Sequence, residues 1–136
     1  MAATVSQAAA GLREQLRQIP GLRVVDYLPD QVNPPMAVLS ISDVTFHRAF
    51  SGGDPIYQFV VTLIVARASE RVAQDRLDAY TSFDGAQSVR AAVEADQTLG
   101  GVVSTSVVDR AGNIQTVTLA DNVNYLAVDF TVIVHG

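Results

Sequence analysis

The chain has no cysteine, and only 17% of its 136 residues are charged. The lack of cysteine excludes disulfide bonds and thiolate chemistry within the chain. The charged fraction is well below the roughly 25% of average soluble chains. A protein with so little charge is expected to hide part of its surface in contacts with partners, and 136 residues are enough for one domain with a real core.

Basic residues are also scarce, with nine Lys and Arg against fourteen Asp and Glu and a net charge of -5. A dedicated nucleic-acid surface shows a basic patch, so we expect no specific nucleic-acid binding. The apolar runs fall far short of the ~20 residues of a membrane helix. The opening MAATVSQAAAGLREQ lacks the basic start and apolar core of a secretory signal. We therefore expect a protein made and used in a cytoplasm, without a membrane partner.

The strongest pattern is the strand-forming stretch Pro55–Ala66, PIYQFVVTLIVA. At period two, one face is wholly apolar and carries Tyr57, Phe59, Val61, Leu63 and Val65. The opposite face is only partly polar and carries Ile56, Gln58, Val60, Thr62, Ile64 and Ala66. Such a strand needs cover on both sides, and part of that cover could come from another subunit.

Three helices are predicted. The first covers Thr4–Gln18, with a capping box at its start and a mid-helix Gly11 that weakens it by roughly 1 kcal/mol relative to alanine. Ser69 is the predicted N-cap of the second helix. The third is predicted over Ala86–Asp96, after a capping-box-like start at Asp84.

Further strands are predicted at Arg23–Tyr27, Met36–Ser42, Val102–Asp109, Ile114–Leu119 and Asn124–Val134. The last three are interpreted as a β-meander with a turn at residues 111–113. Residues 1–136 are therefore expected to form a single α+β domain. It should contain a largely antiparallel sheet of about five to six strands, with two to three helices packed mainly on one face.

Candidate chemistry is weak throughout. Asp43 precedes His47 by four residues, but in a strand or loop that spacing does not bring the two side chains together. His135 is expected to be frayed. The carboxylates near residue 75 alternate with arginines, as on an ordinary solvated helix face, and neither Gly-Gly pair continues as a phosphate loop. We therefore predict no catalytic, cofactor or metal site, and no enzyme activity.

A possible interface lies in and before the long strand. Residues 43–54 are interpreted as an extended arm or mobile loop that contacts a neighbouring protein. Phe46 and Phe50 are its large apolar groups, although both could instead cover the local core. The second face of the long strand adds Ile56, Val60 and Ile64 to this predicted interface.

Several segments resemble the tail terminator proteins of long-tailed (siphovirus-type) bacteriophages. Residues 67–80, RASERVAQDRLDAY, are similar to the family's "SRASxRxAQxxLDxY" helix, and residues 88–101, SVRAAVEADQTLGG, to its "SVxxAIExDxTLGG" helix. IPGLRVVDYLPDQVNPPMAVL resembles the first strand and proline loop, and YLAVDFTVIV resembles the last strand. The likeness covers nearly the whole chain, although its residues serve packing and capping rather than chemistry.

The resemblance implies a structural role in the virion, after assembly in the host cytoplasm. Such proteins form a ring, typically of six subunits, on the head-proximal end of the tail tube. The ring stops tube polymerisation and binds the head-tail connector or neck proteins, and DNA passes through its lumen. Two alternatives stay open: a neighbouring neck protein with a related fold, and a small-ligand-binding α+β module that dimerises through its sheet.

Overall fold

A computed structural model describes residues 4–25, 33–46, 55–119 and 122–136. Over these residues the chain forms three helices and five strands, in the order α1 (Val5–Leu16), β1 (Arg23–Val25), β2 (Met36–Thr45), β3 (Ile56–Arg67), α2 (Ala73–Thr81), α3 (Val89–Glu94), β4 (Thr105–Thr118) and β5 (Asn124–His135).

The five strands form one sheet in the order β1-β2-β3-β5-β4. The long strand β3 lies at its centre and pairs antiparallel with β2 and with β5. Strand β4 pairs antiparallel with β5 at one edge, and the short β1 pairs parallel with the start of β2 at the other. The predicted α+β class and largely antiparallel sheet are confirmed.

The main core lies between one face of the sheet and the three helices. The fully apolar face of β3 supplies its predicted side chains to this core, and β5 adds Val128, Phe130, Val132 and Val134. The helices contribute Ala8, Leu12, Leu16, Ala73, Leu77, Tyr80, Val89 and Val93. The apolar side chains at period-two spacing in the strands and at helical spacing in the helices pack together in a single buried layer, as the sequence pattern predicts.

The other face of the sheet carries a much smaller cluster at one end. Met36, Ile64 and Tyr125 are buried there, with half-buried Leu119 and Val123 packed against them. No helix residue of the described chain belongs to this cluster. The predicted helix layer on one face is therefore what the described residues show.

Two helix starts differ from the sequence predictions. Helix α1 begins with the predicted capping box between Thr4 and Gln7. Helix α2 begins at Ala73 with no side-chain cap, because Ser69 lies in a turn that follows β3 directly. Helix α3 is capped by Ser88, so the predicted start at Asp84 is wrong.

The predicted β-meander is also wrong in one respect: β4 is a single strand where two strands and a turn were expected. Its pairing with β5 shifts register after Val108 and again after Gly112, which marks two irregularities of the bulge type. Asn113 takes up the second with a φ of 52°. His135 is the last residue of β5 and pairs with Ile56, so the prediction that it is frayed is wrong as well.

Candidate assembly surfaces

The second face of the sheet is only partly covered by the described chain. Cross-strand pairs place Ile56 beside His135, Gln58 beside Ile133, and Val60 beside Thr131. These side chains are half-buried by their neighbours in the sheet. We call the half-buried apolar residues of this surface the open face: Val38, Ile56, Val60, Val107 and Ile133.

A polar band crosses the sheet beside the open face. The hydroxyl of Thr62 on β3 donates to Asp129 on β5 at 2.9 Å, and the side-chain amide of Asn113 on β4 donates to the other carboxylate oxygen at 2.9 Å. The carboxylate thus links three neighbouring strands and fixes Asn113 in the bulged part of β4.

The predicted interface residues lie in different environments in the structure. Ile56 and Val60 lie on the open face, and Phe46 is 70% exposed immediately after β2. Ile64 is only 2% exposed, because it is packed in the small cluster at the end of the sheet, so it is removed from the predicted interface. Phe50 lies outside the described residues.

The predicted arm begins later than expected. Residues 43–45 belong to β2, where Asp43 pairs with Gln58 and Thr45 pairs with Ile56. A register shift after Ile41 reverses the alternation of the strand, so that Ile41 lies opposite Phe59 but Val44 lies opposite Tyr57, and the sequence pattern did not indicate this shift. Residues 47–54, with His47 among them, lie outside the described residues.

A second exposed aromatic residue was not identified from the sequence. Phe83 follows α2 and is 69% exposed. The guanidinium carbon of Arg90 on α3 lies 3.6 Å from the centroid of the Phe83 ring, which is a cation–π contact. Phe83 and Arg90 lie seven positions apart, across an irregular loop, so no periodic pattern could link them. The sequence signal that could have indicated Phe83 was an aromatic residue in the loop between α2 and α3.

Arg90 is held in place by several contacts. It forms ion pairs with Asp84 at 3.5 Å and with Glu94 at 3.3 Å. Glu94 also accepts a hydrogen bond from the backbone N–H of Val108 on β4, at 3.2 Å. The position of the Phe83 ring is thereby coupled to an edge strand of the sheet through Arg90 and Glu94.

A cleft of about 180 Å³ opens beside this aromatic ring. Its lining combines aromatic and aliphatic residues with arginines and includes Tyr80, Phe83, Arg90, Val108, Arg110, Ala111 and Phe130. We call it the Phe83 cleft. Burial raises the pKa of Tyr80 above its ordinary value of 10.0, although the charge of Arg76 lowers it. The Tyr80 hydroxyl is therefore neutral at physiological pH.

Another cavity, of about 400 Å³, lies between α1 and the loop that follows α3. Asp96 organises this loop by accepting hydrogen bonds from the Thr98 hydroxyl and from the backbone N–H of Gly100. These two bonds, together with the Thr98 backbone N–H, hold the pKa of Asp96 below its ordinary value of 3.8. The carboxylate already has its partners in the loop, so its geometry is that of a turn rather than of a binding site.

Within the part of the chain that the structure describes, no group of three or more His, Asp or Glu side chains is arranged to hold a metal ion. No helix there is long and apolar enough to span a membrane.

No protein-family model matches the chain, and no curated protein matches it. Among solved structures, the chain is similar to one in "Virion of native gene transfer agent (GTA) particle". The match covers 96% of this chain and 94% of that chain, at 16% sequence identity and a TM-score of 0.40. At that level of identity and overlap, the likeness carries no argument about function.

Proposed function

We propose that this chain is a structural protein of a phage-like virion, and specifically a tail terminator. In this role it forms a ring, typically of six copies, on the head-proximal end of the tail tube. The ring stops tube polymerisation and presents the surface that joins the tail to the head. The proposal rests on the sequence resemblance over residues 67–103 and on the character of the open face.

The open face is the structural observation that supports assembly most directly. The described helices pack on the opposite side of the sheet, so Ile56, Val60 and Ile133 keep part of their apolar surface accessible. Burying apolar surface stabilises association by roughly 25 cal/mol per Å² before the costs of binding are subtracted. A subunit with 17% charged residues has correspondingly fewer charges to desolvate at such a contact.

Two other functions remain as alternatives. A neck protein of related fold would bind the head-proximal surface of an already terminated tail and would leave tube growth unchanged. A small-ligand module would require an apolar pocket with convergent polar groups, commonly of 300–1,000 Å³. The Phe83 cleft is smaller than that range. The cavity beside α1, at about 400 Å³, lies within the range, and Glu14 and Asp96 are the charged residues of its otherwise mainly apolar lining.

The test is a tube-growth assay with the tail tube protein of the same phage. Purified chain is added during polymerisation, and tube lengths and end occupancy are measured by electron microscopy. We expect elongation to stop, with the chain bound at one end of each tube. Undiminished growth with the chain bound to capped tails favours the neck protein, and no binding to either form argues against both.

Matched variants make the assay specific for the open face. Val60→Asp places a charge on the open face, and Val102→Asp places one at an exposed apolar residue on the helix side of the molecule. Both should fold, because both side chains are already partly in contact with water. We expect Val60→Asp to lose terminator activity and Val102→Asp to keep it. Equal activity of the two variants would exclude the open face from assembly.

A further inference from the structure

We propose that the free chain forms a two-fold dimer in which the open faces of two copies pack together and Asp43 of each copy pairs with Arg110 of the other. This contact goes beyond the proposed role on the tail, because it needs no other protein. It follows from two opposite charges that flank the apolar centre of the open face and have no ion pair among the described residues.

Asp43 places a carboxylate on the open face near one side of the sheet. It pairs with Gln58 on β3, and Gln58 pairs in turn with Ile133 on β5, so the three side chains lie on the same face. Asp43 is exposed and has no ion pair with any residue that the structure describes. The carboxylate of Asp129, on the same face, is already hydrogen-bonded within its own copy. Asp43 is therefore the carboxylate that remains for a partner.

Arg110 places a guanidinium group on the same face at the other side of the sheet. It pairs with Thr131 on β5, and its neighbour on this face, Gly112, pairs with Asp129. A Cβ added at Gly112 would lie 2.8 Å from the Nη2 atom of Arg110, so the glycine leaves room for the guanidinium group. Arg110 is exposed, and within the described ranges it forms no ion pair.

The order of the strands makes these two charges complementary across a two-fold axis. The four long strands lie in the order β2-β3-β5-β4. When two sheets stack face to face, an axis that runs between β3 and β5 brings β2 of one copy opposite β4 of the other. Asp43 and Arg110 lie in adjacent cross-strand rows, about 7 Å apart along the strands and about 14 Å apart across them. An axis inclined to the strands therefore places the two positions opposite each other. Two identical ion pairs form, as an isologous contact requires.

The centre of this contact is apolar. Val60 on β3 and Ile133 on β5 lie next to the axis, between the two charged positions. Both are half-buried in the single copy, so they still have apolar surface to remove from water. Stacked sheets lie about 10 Å apart, a gap that an aspartate and an arginine side chain bridge together. A second copy is the occupant that fits, because one and the same surface supplies the apolar centre and both counter-charges.

Charge reversal tests the contact, because two variants that fail alone are expected to succeed together. In its homodimer, Asp43→Arg places two guanidinium groups opposite each other at both ion pairs, and Arg110→Asp places two carboxylates there. A mixture of the two variants restores opposite charges at both places. In sedimentation over a concentration series, we expect wild type to dimerise and each variant alone to bind itself at least about tenfold more weakly. The mixture should form a heterodimer with nearly the affinity of wild type, identified by native mass spectrometry.

The controls make the same charge changes on the helix side of the sheet. Asp75→Arg in α2 and Arg71→Asp just before it alter exposed residues, and both variants should dimerise like wild type. A wild-type chain that stays monomeric or assembles directly into rings overturns the proposal. So does a mixture of Asp43→Arg and Arg110→Asp that binds no better than each variant alone, or one that forms longer chains, since a two-fold contact closes at two copies.

The tube-growth assay separates this inference from the proposed function. The dimer covers the open face, so it must separate when the chain binds a tail. A chain that is monomeric in sedimentation but stops tube growth overturns the dimer and leaves the terminator proposal standing. A chain that forms the charge-dependent dimer but leaves tube growth unchanged supports the dimer and contradicts the terminator proposal.

Discussion

Gly11 of α1 packs directly against Leu99 in the loop that follows α3. A methyl group added at Gly11 would lie 2.8 Å from the Leu99 Cβ and 3.4 Å from its carbonyl oxygen. Leu99 is buried and has a φ of 51°, so it is held by the loop that Asp96 organises. The glycine that weakens the helix in isolation is therefore required for the helix to approach its neighbour.

The first prediction concerns Gly11→Ala, for which two effects oppose each other. Alanine gains about 1 kcal/mol of helix propensity, whereas overpacking against a fixed neighbour costs about 1–3 kcal/mol. Because the clash involves a Cβ rather than a flexible side-chain end, we expect net destabilisation of about 1 kcal/mol in urea unfolding. Ser6→Ala, at an exposed position of the same helix, should be neutral or slightly stabilising. A stabilised Gly11→Ala variant would mean that the loop can move away.

The second prediction compares two serines. Ser88 is fully buried, caps α3 by accepting from the Ala91 N–H, and donates to the carbonyl oxygens of Ser82 and Phe83. We expect Ser88→Ala to lower the free energy of unfolding by about 1–3 kcal/mol. Ser69→Ala, at the serine predicted from sequence to be a cap, should change it by less than about 0.5 kcal/mol. Equal losses from the two substitutions would contradict the observed helix starts.

Local sequence patterns predicted most of the fold because the structures of β3 and α1 can be inferred from their own residues. The alternation in β3 and the capping box at Thr4 depend only on nearby residues. The single strand β4 could not be predicted in the same way, because residues 111–113 have the composition of a turn. Only pairing with β5 and the contact between Asn113 and Asp129 convert that segment into an irregularity within one strand.

The candidate surfaces were only partly predictable, for a related reason. The exposure of Phe46 could be predicted, because this residue lies just beyond the alternating pattern of β2. The burial of Ile64 depends on Met36 and Tyr125, which reach it from other strands. After Ile64 a further register shift places Ala66 in the main core, although alternation predicted the opposite face. The pairing of Phe83 with Arg90 joins a loop to a helix and leaves no periodic signal.

The third prediction is a pH dependence centred on Asp96. The pKa of Asp96 in the folded protein lies below the ordinary value of 3.8. The carboxylate therefore stabilises the fold fully at pH values above the pKa that Asp96 has in the unfolded chain. This stabilisation is lost as the pH falls through the folded value. The difference in urea midpoint between wild type and Asp96→Asn should therefore be constant near neutrality and shrink below about pH 4. A difference that stays constant down to pH 2 would show that the charge on Asp96 is irrelevant.

The fourth prediction is that the assembled ring does not hold DNA. Six copies at -5 each would carry about -30, and protein–DNA affinity comes chiefly from Lys and Arg that neutralise phosphates. Such a ring should let the genome slide during ejection. In mobility-shift titrations with duplex DNA at low salt, we expect no shift. Tight, salt-sensitive binding would contradict this expectation and weaken the terminator proposal.

The most direct test of the central claim is the number and arrangement of copies at the end of a tail. Purified tails bearing the chain are imaged by negative stain, and the mass of the released terminal complex is measured. The account predicts a closed ring with a central hole and a mass of about six subunits. A terminal position occupied by one or two copies, or an open filament, would contradict it.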